Sequence, residues 1–394
     1  SGMAPHARIA VYKALWSTEV GDTASGYTGD LVAAIDQAVK DGVDVINYSI
    51  SGSQTNFLDA SEVAFMYAAR AGVFVAASAG NSGPAVSTVA HPSPWVTTVA
   101  AGTHNRAAVG TVTTGDGVTS TGVSLSTVEL TAPFIDAQDA GLPGADPTKV
   151  RLCYSSLDGG NPLDPAKIAG KIVLCDRGTT ARVNKSLAVL EAGGVGMVLV
   201  NPTASTLNAD FHSVPTVHLQ NTYYVAIHAY ADVVGATATI HKATLDYTTP
   251  APFTASFSSR GPLQAGNGAL LKPDVMAPGV DILAAVSPMT SGGIHYNLYQ
   301  GTSMSSPHVA GVAALLKDLH PDWSPMMIKS ALMTSAYDVL DGPNTHPLVL
   351  FRQGAGHIQP NKAADPGLVY SSNWSDWIAF LCGTTAGINP NTCQ

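Results

Sequence analysis

"VDVINYSISGSQTNFLDASEVAFMYAARAGVFVAASAG", residues 43–80, carries the pattern that decides the fold. Val43–Ser49 is a short apolar run that reads as a strand. Asp59, Ala60, Ser61 and Glu62 resemble a capping box and open a helix to about Ala71, ended by Gly72. Val73–Ala77 is a second apolar strand. Upstream, Leu31, Ile35, Ala38 and Val39 share one face of a helix over Asp30–Lys40, closed by Asp41 and Gly42, and Ile9–Lys13 reads as a further strand. This alternation predicts an α/β fold: a doubly wound parallel sheet with right-handed crossovers and helices on both faces. Ligands of such sheets bind beyond the carboxyl ends of the strands. Two small, polar stretches fall there, Ser49–Gly52 and Ser78–Pro84.

The 394 residues are too many for one typical domain. From about Gly110 to Pro250 the alternation gives way to short β-like runs at Val123–Leu130, Lys171–Cys175, Val195–Asn201 and Thr216–Leu219, around one helix at about Asn184–Ala192. This is expected to be a β-rich insert. "GGVG" at 193–196 follows a helix and precedes a strand, the reverse of a dinucleotide-binding turn, so it reads as a helix stop before a buried strand. The alternation resumes at "ASFSSRGP" (255–262) and continues through "KPDVMAPGVDILAAV" (272–286). The expected division is 1–110 and 251–370 for one interrupted α/β domain, 111–250 for the insert, and 371–394 for a C-terminal segment.

Hydrophobic residues make up 45% of the chain and charged ones 12%, enough to bury large cores. The formal net charge of −9, with no basic stripe, excludes a nucleic-acid binder and argues against an anionic membrane surface. No run approaches the roughly 18 apolar residues of a spanning helix. The four cysteines form no C-x-x-C pair and suggest no zinc site. They fall into two local pairs, Cys153 with Cys175 and Cys382 with Cys393, read as disulfides of an oxidising, extracellular compartment, with four buried free thiols as the alternative.

"GTSMSSPHVAGVAALL" (301–316) is a serine cluster leading into a helix that is apolar all round and therefore buried. Ser303 falls at its N-terminus, where free N–H groups and the helix dipole favour developing negative charge. A nucleophilic serine needs that setting, and an N-cap serine would sit there equally well. Pro307 is placed in the first helical turn. The G-x-S-x-G elbow of the α/β-hydrolases does not apply, because Ser305 stands where its second glycine would be.

The same stretch resembles the active-site serine signature of the subtilisin-like serine proteases. "AASAGNSGP" resembles that family's oxyanion asparagine motif, "DVINYSIS" its substrate-binding strand, and "KPDVMAPGVDI" the segment ahead of its serine helix. "KIAGKIVLCDRG" and "LEAGGVGMVLVN" resemble the protease-associated domain found within many large subtilases, and "DPGLVY" with "FLCGTTAG" the region closing the catalytic domain. The resemblance implies a serine endopeptidase, without cofactor, acting on polypeptide. Ser303 would be its nucleophile and Asn81 its oxyanion donor. Ser49, Ile50, Ser51 and Gly52 would form one wall of the substrate cleft, with Ser51 where the family often has glycine. Ser78, Ala79 and Gly80 would form the other. The family's triad runs Asp, His, Ser, and both earlier members precede the segment matched by "GMAPHARIAVYK" at residues 2–13. The aspartate and histidine are thus expected in an upstream segment of the full-length chain, and the 394 residues alone are expected to be inactive. None of the twelve histidines sits in a motif that orients a base, and all read as solvated or packed. The other readings are a non-catalytic peptide-binding module and a pseudoprotease.

Overall fold

The computed structural model describes residues 2–17, 24–289, 293–342, 346–386 and 388–393. Its centre is a four-stranded parallel sheet in the spatial order Val275–Pro278, Thr97–Gly102, Phe74–Ser78, Val45–Tyr48. Side-chain alternation sends Phe74 and Ala76 to one face, Val75 and Ala77 to the other. Phe74, Ala76, Val99, Val275 and Ala277 pack on Val309, Val312, Ala313 and Leu316 of the helix Thr302–Leu319. Val75 and Ala77 meet Ile35 of the helix Thr28–Lys40 and Phe65 of the helix Ala60–Arg70. Both faces are therefore covered, and every residue of Phe74–Ser78 is buried. This is the doubly wound α/β arrangement that the alternation predicts.

Asp59 caps the Ala60–Arg70 helix by accepting from the Ser61 N–H, and Gly72 takes φ 94° just beyond its end. The helix Pro325–Thr334 opens on Ser324, whose side chain accepts from the Met327 N–H.

Four local expectations change. Ile9–Lys13 is not a strand: Ile9 is 87% and Val11 86% exposed, and no strand pairs with the segment among the described residues. Thr97–Gly102, "TTVAAG", is a central strand whose small residues carry no apolar alternation to announce it. The run Val123–Leu130 divides into the end of Thr119–Val123 and the start of Leu130–Asp136. Between them Ser124 Oγ donates to Thr216 O and accepts from the Ser126 N–H, and Ser126 Oγ donates to Val128 O, so hydroxyls replace ladder partners. The fourth change is a second substantial helix, Tyr224–Ala231, whose apolar residues form no single stripe.

Residues 107–246 hold a second, eight-stranded sheet. Leu130–Asp136, Ile172–Asp176, Gly196–Val200 and Thr216–Leu219 run parallel, and the other pairings are antiparallel. Thr237–Ile240 pairs with both Leu130–Asp136 and Ala107–Thr114, so the sheet closes on itself. Gly193 takes φ 79° and ends the helix Arg182–Glu191 before the fully buried strand Gly196–Val200. Disulfides join Cys153 to Cys175 within this unit and Cys382 to Cys393 at the end of the helix Trp374–Thr384. Among the described residues no helix is long and apolar enough to cross a membrane.

Candidate active site

The turn ahead of the serine helix is held from below. Gly301 takes φ 149°, a conformation that side-chain-bearing residues rarely adopt, and its N–H donates to Gly279 O at 2.8 Å. Gly279 N–H in turn donates to Gly102 O at the end of a central strand (2.8 Å). A Cβ on Gly279 would stand 2.2 Å from Ser305 Oγ, so only glycine lets the turn approach this closely. Ser303, half-buried, is the second residue of the helix that follows.

Pro307 lies one turn deeper in the helix than expected. It has no N–H to give to the carbonyl four residues back, which is that of Ser303. Ser49 Oγ supplies the missing donor, at 2.9 Å from Ser303 O. Ser303 Oγ donates back to Ser49 O at 3.2 Å. Asn47 supports this exchange: its Nδ2 donates to Ser49 Oγ (3.1 Å) while its Oδ1 accepts from Ser306 Oγ (2.8 Å). Ser306 Oγ also lies 3.1 Å from Ala76 O. Ser303 and Ser306 are thereby registered against the Val45–Tyr48 strand and the residues leaving it.

Asn81 faces the same turn. Its Oδ1 accepts from the Thr302 N–H and the Thr302 hydroxyl, both at 3.0 Å. A backbone N–H can only donate, which fixes the amide with its oxygen toward Thr302. Nδ2 then stands on the Gly301 side, 3.5 Å from where a Cβ on Gly301 would be. Thr302, fully buried, also accepts from the Gly80 N–H at 3.1 Å. Gly80 N–H, Thr302 hydroxyl and Asn81 Oδ1 form one chain, which leaves two N–H donors on Asn81 uncommitted among the described residues.

The two stretches beyond the strands converge. Ser49–Gly52 leaves the Val45–Tyr48 strand as irregular chain, and Ser78 Oγ reaches Ile50 O at 3.4 Å. Ala79 N–H donates to Val99 O at 2.9 Å and Gly80 O accepts from Ser259 N–H at 2.9 Å. Ser303, Asn81, Ser49, Ile50, Ser78, Ala79 and Gly80 are therefore brought to one place. Ser51 lies exposed beside them, and Gly52 is pressed against the ring of His91.

No histidine is bonded to Ser303 Oγ among the described residues. His308 Nδ1 donates to Met304 O in its own helix (2.8 Å), and burial lowers its pKa. His218 and His357 are buried and His212 is half-buried, and this desolvation lowers His212, His218 and His357 to about 4, 3 and 4. The residues that motif reading passed over are Thr302, Asn47 and Ser306; Pro307 was the available clue, since it orphans one specific carbonyl. Among the described residues no cluster of three or more His, Cys, Asp or Glu side chains could hold a metal ion.

The serine helix is buried only on the face turned to the sheet, with Leu315 and Leu319 exposed on the other side, so it is not buried all round as its composition suggests. Such a helix packed on a doubly wound parallel sheet, with these two converging stretches, places the chain in the class of subtilisin-like α/β proteins. The Subtilase family model matches residues 1–356, and the chain belongs to the subtilase family. It is 40% identical over 405 residues to subtilisin-like protease SBT1.7 of Arabidopsis thaliana, covering 97% of this chain and 51% of that protein. It is 42% identical over 405 residues to subtilisin-like protease SBT1.4 of the same plant, covering 97% and 50%. The chain thus spans about half the length of the curated relatives it matches. Among solved structures, the psychrophilic subtilisin-like protease Apa1 of a Pseudoalteromonas species is similar at 19% identity and a TM-score of 0.37, covering 86% of this chain and 74% of that one.

Proposed function

We propose that this chain carries the nucleophile, oxyanion donor and cleft walls of a secreted serine endopeptidase, with residues 111–250 as a protease-associated insert. Ser303 Oγ attacks the carbonyl carbon of a peptide bond in an extended polypeptide. The hydroxyl proton passes to a general base and then to the leaving amine as the C–N bond breaks. Water hydrolyses the remaining ester. Asn81 Nδ2 and a backbone N–H at the helix start meet the oxyanion. The observation that carries this reading is the Asn81 amide, whose oxygen is occupied by Thr302 while its N–H groups stay uncommitted beside the turn of Ser303.

The base is the remaining part. Ser303 Oγ donates to a main-chain carbonyl, which accepts a hydrogen bond but does not take the proton away at neutral pH. The histidine and its orienting aspartate therefore come from residues of the same protein outside these 394. A fluorophosphonate probe tests this. The 394-residue chain stays unlabelled, and the natural protein in full is labelled at Ser303, with labelling abolished in Ser303→Ala. Labelling of the isolated chain would place the base inside it; an unlabelled full protein would favour the non-catalytic peptide binder.

A further inference from the structure

His91 was read from the sequence as one of twelve solvated or packed histidines. It is fully buried, and so is its partner Glu62, which lies on the helix Ala60–Arg70. His91 Nδ1 is 2.7 Å from Glu62 Oε1, and His91 Nε2 is 2.9 Å from Ile50 O. A carbonyl oxygen only accepts, so Nε2 carries a proton and donates to Ile50. The second proton of the pair lies between Nδ1 and Glu62 Oε1, on either atom.

The backbone of the same residue works in concert with its ring. His91 N–H donates to Ser53 O at 3.0 Å, so one residue holds the two carbonyls that bracket Ser51 and Gly52. A Cβ on Gly52 would stand 2.2 Å from His91 Cε1, so the wall rests directly on the imidazole. The residue before it holds the opposite wall: Ala90 N–H donates to Ala79 O at 3.0 Å. Residues 90 and 91 therefore tie together the two stretches, Ser49–Gly52 and Ser78–Gly80, that face each other beside Ser303.

The arrangement is costly to hold. His91 has φ 55°, an uncommon conformation for a residue with a side chain. Among the described residues Glu62 Oε2 is buried without a hydrogen-bond partner. Strain and an orphaned carboxyl oxygen at one spot persist only where the surroundings enforce them. Here Trp95 Nε1 donates to Glu62 O (2.7 Å) and Thr98 Oγ1 donates to His91 O (2.7 Å). The rings of Tyr48 and Phe65 stand edge-on to the imidazole, with centroids at 5.4 and 6.2 Å.

We propose that His91, oriented by Glu62, is the positioning residue that fixes the Ile50–Ser53 wall and its spacing from the Ser78–Gly80 wall, and so gives the cleft its preference for a long extended peptide. The inference rests on the reading that these walls hold a polypeptide. A peptide of one residue before the cut touches the walls little. One of four residues can add along them as a strand.

The experiment compares p-nitroanilides with one and with four alanines before the cut, using the natural protein in full. In His91→Asn, where asparagine tolerates the positive φ, the four-alanine advantage in kcat/KM falls about tenfold, as expected for losing one or two backbone hydrogen bonds to substrate. Glu62→Leu has the same effect. Glu62→Gln, whose amide can donate to Nδ1, keeps the advantage within about threefold of the parent. Gly52→Ala, a change on the wall itself, lowers it as well. A general loosening of the site would lower both substrates alike, so an unchanged ratio in His91→Asn, Glu62→Leu and Gly52→Ala overturns the inference and leaves the peptidase reading standing. If the full protein neither cleaves nor labels, calorimetry with N-acetyl-tetra-alanine amide decides. Binding by the parent that weakens in His91→Asn keeps the wall role in a non-catalytic cleft. No binding by the parent overturns both readings.

Discussion

Thr302→Val replaces a buried hydroxyl by a methyl of nearly the same shape, and a purely hydrophobic account would call it neutral or stabilising. The hydrogen bonds predict the opposite. Thr302 is fully buried, so nothing but its own Oγ1 serves the Gly80 N–H at 3.1 Å, and Gly80 is buried too. Removing the oxygen leaves that N–H without a partner or water, at about 1–3 kcal/mol. The bond from Oγ1 to Asn81 Oδ1 at 3.0 Å is also lost. Asn81 is exposed and keeps the Thr302 N–H, so this second loss is about 0.5–1 kcal/mol. The sum is a destabilisation of about 1.5–4 kcal/mol for valine. Thr302→Ser keeps the hydroxyl and gives up one methyl, about 0.8 kcal/mol. Urea denaturation of the two variants beside the parent measures both. Valine equal to the parent within about 0.5 kcal/mol, or serine costing more than valine, would refute the idea that the hydroxyl rather than the methyl holds this turn.

In the full protein, Asn81→Ala should lower kcat by about 10²–10³ with little change in KM, a magnitude carried over from subtilisin rather than worked from this structure; unchanged kcat removes the amide from the mechanism. Asp274 is buried between Lys272 Nζ (2.7 Å) and Lys329 Nζ (2.9 Å) and accepts the Thr98 N–H (2.7 Å). Asp274→Ala strands a buried ammonium and should cost about 3–5 kcal/mol by urea midpoint; a loss below about 1 kcal/mol contradicts this. For His228, burial alone would lower the pKa, but hydrogen bonds to Asp136 and Asp176 carry it up to about 9. A raised folded pKa contributes stability that is present below about 6.5 and lost as pH rises through 9, so thermal stability should decline over that window, and His228→Gln should flatten the decline.

Much of the fold was legible because its strands and helices differ in period and are punctuated by glycine. Gly72, Gly193 and Asp59 end or cap helices where local chemistry says they should. Thr97–Gly102 escaped notice because its run is short and half Ala and Gly, and burial on both faces removes the alternation that would mark a strand. Ile9–Lys13 shows the converse: an apolar alternating run is a strand only if another strand lies beside it.

The position of Ser303 at the head of an apolar helix, and of Asn81 beyond a parallel strand, follows from local pattern in the chain. Glycine turns, apolar periodicity and helix ends are short-range effects, and short-range effects survive in a one-dimensional reading. What tertiary structure decided is which groups meet. Ser49 answers the carbonyl that Pro307 orphans across 254 residues of chain. His91 joins Glu62 on one helix to Ile50 and Ser53 on one cleft wall, two segments distant from it in sequence. Hydrogen bonds of this kind depend on tenths of an ångström between elements brought together by packing, and residue spacing along the chain carries no record of that distance.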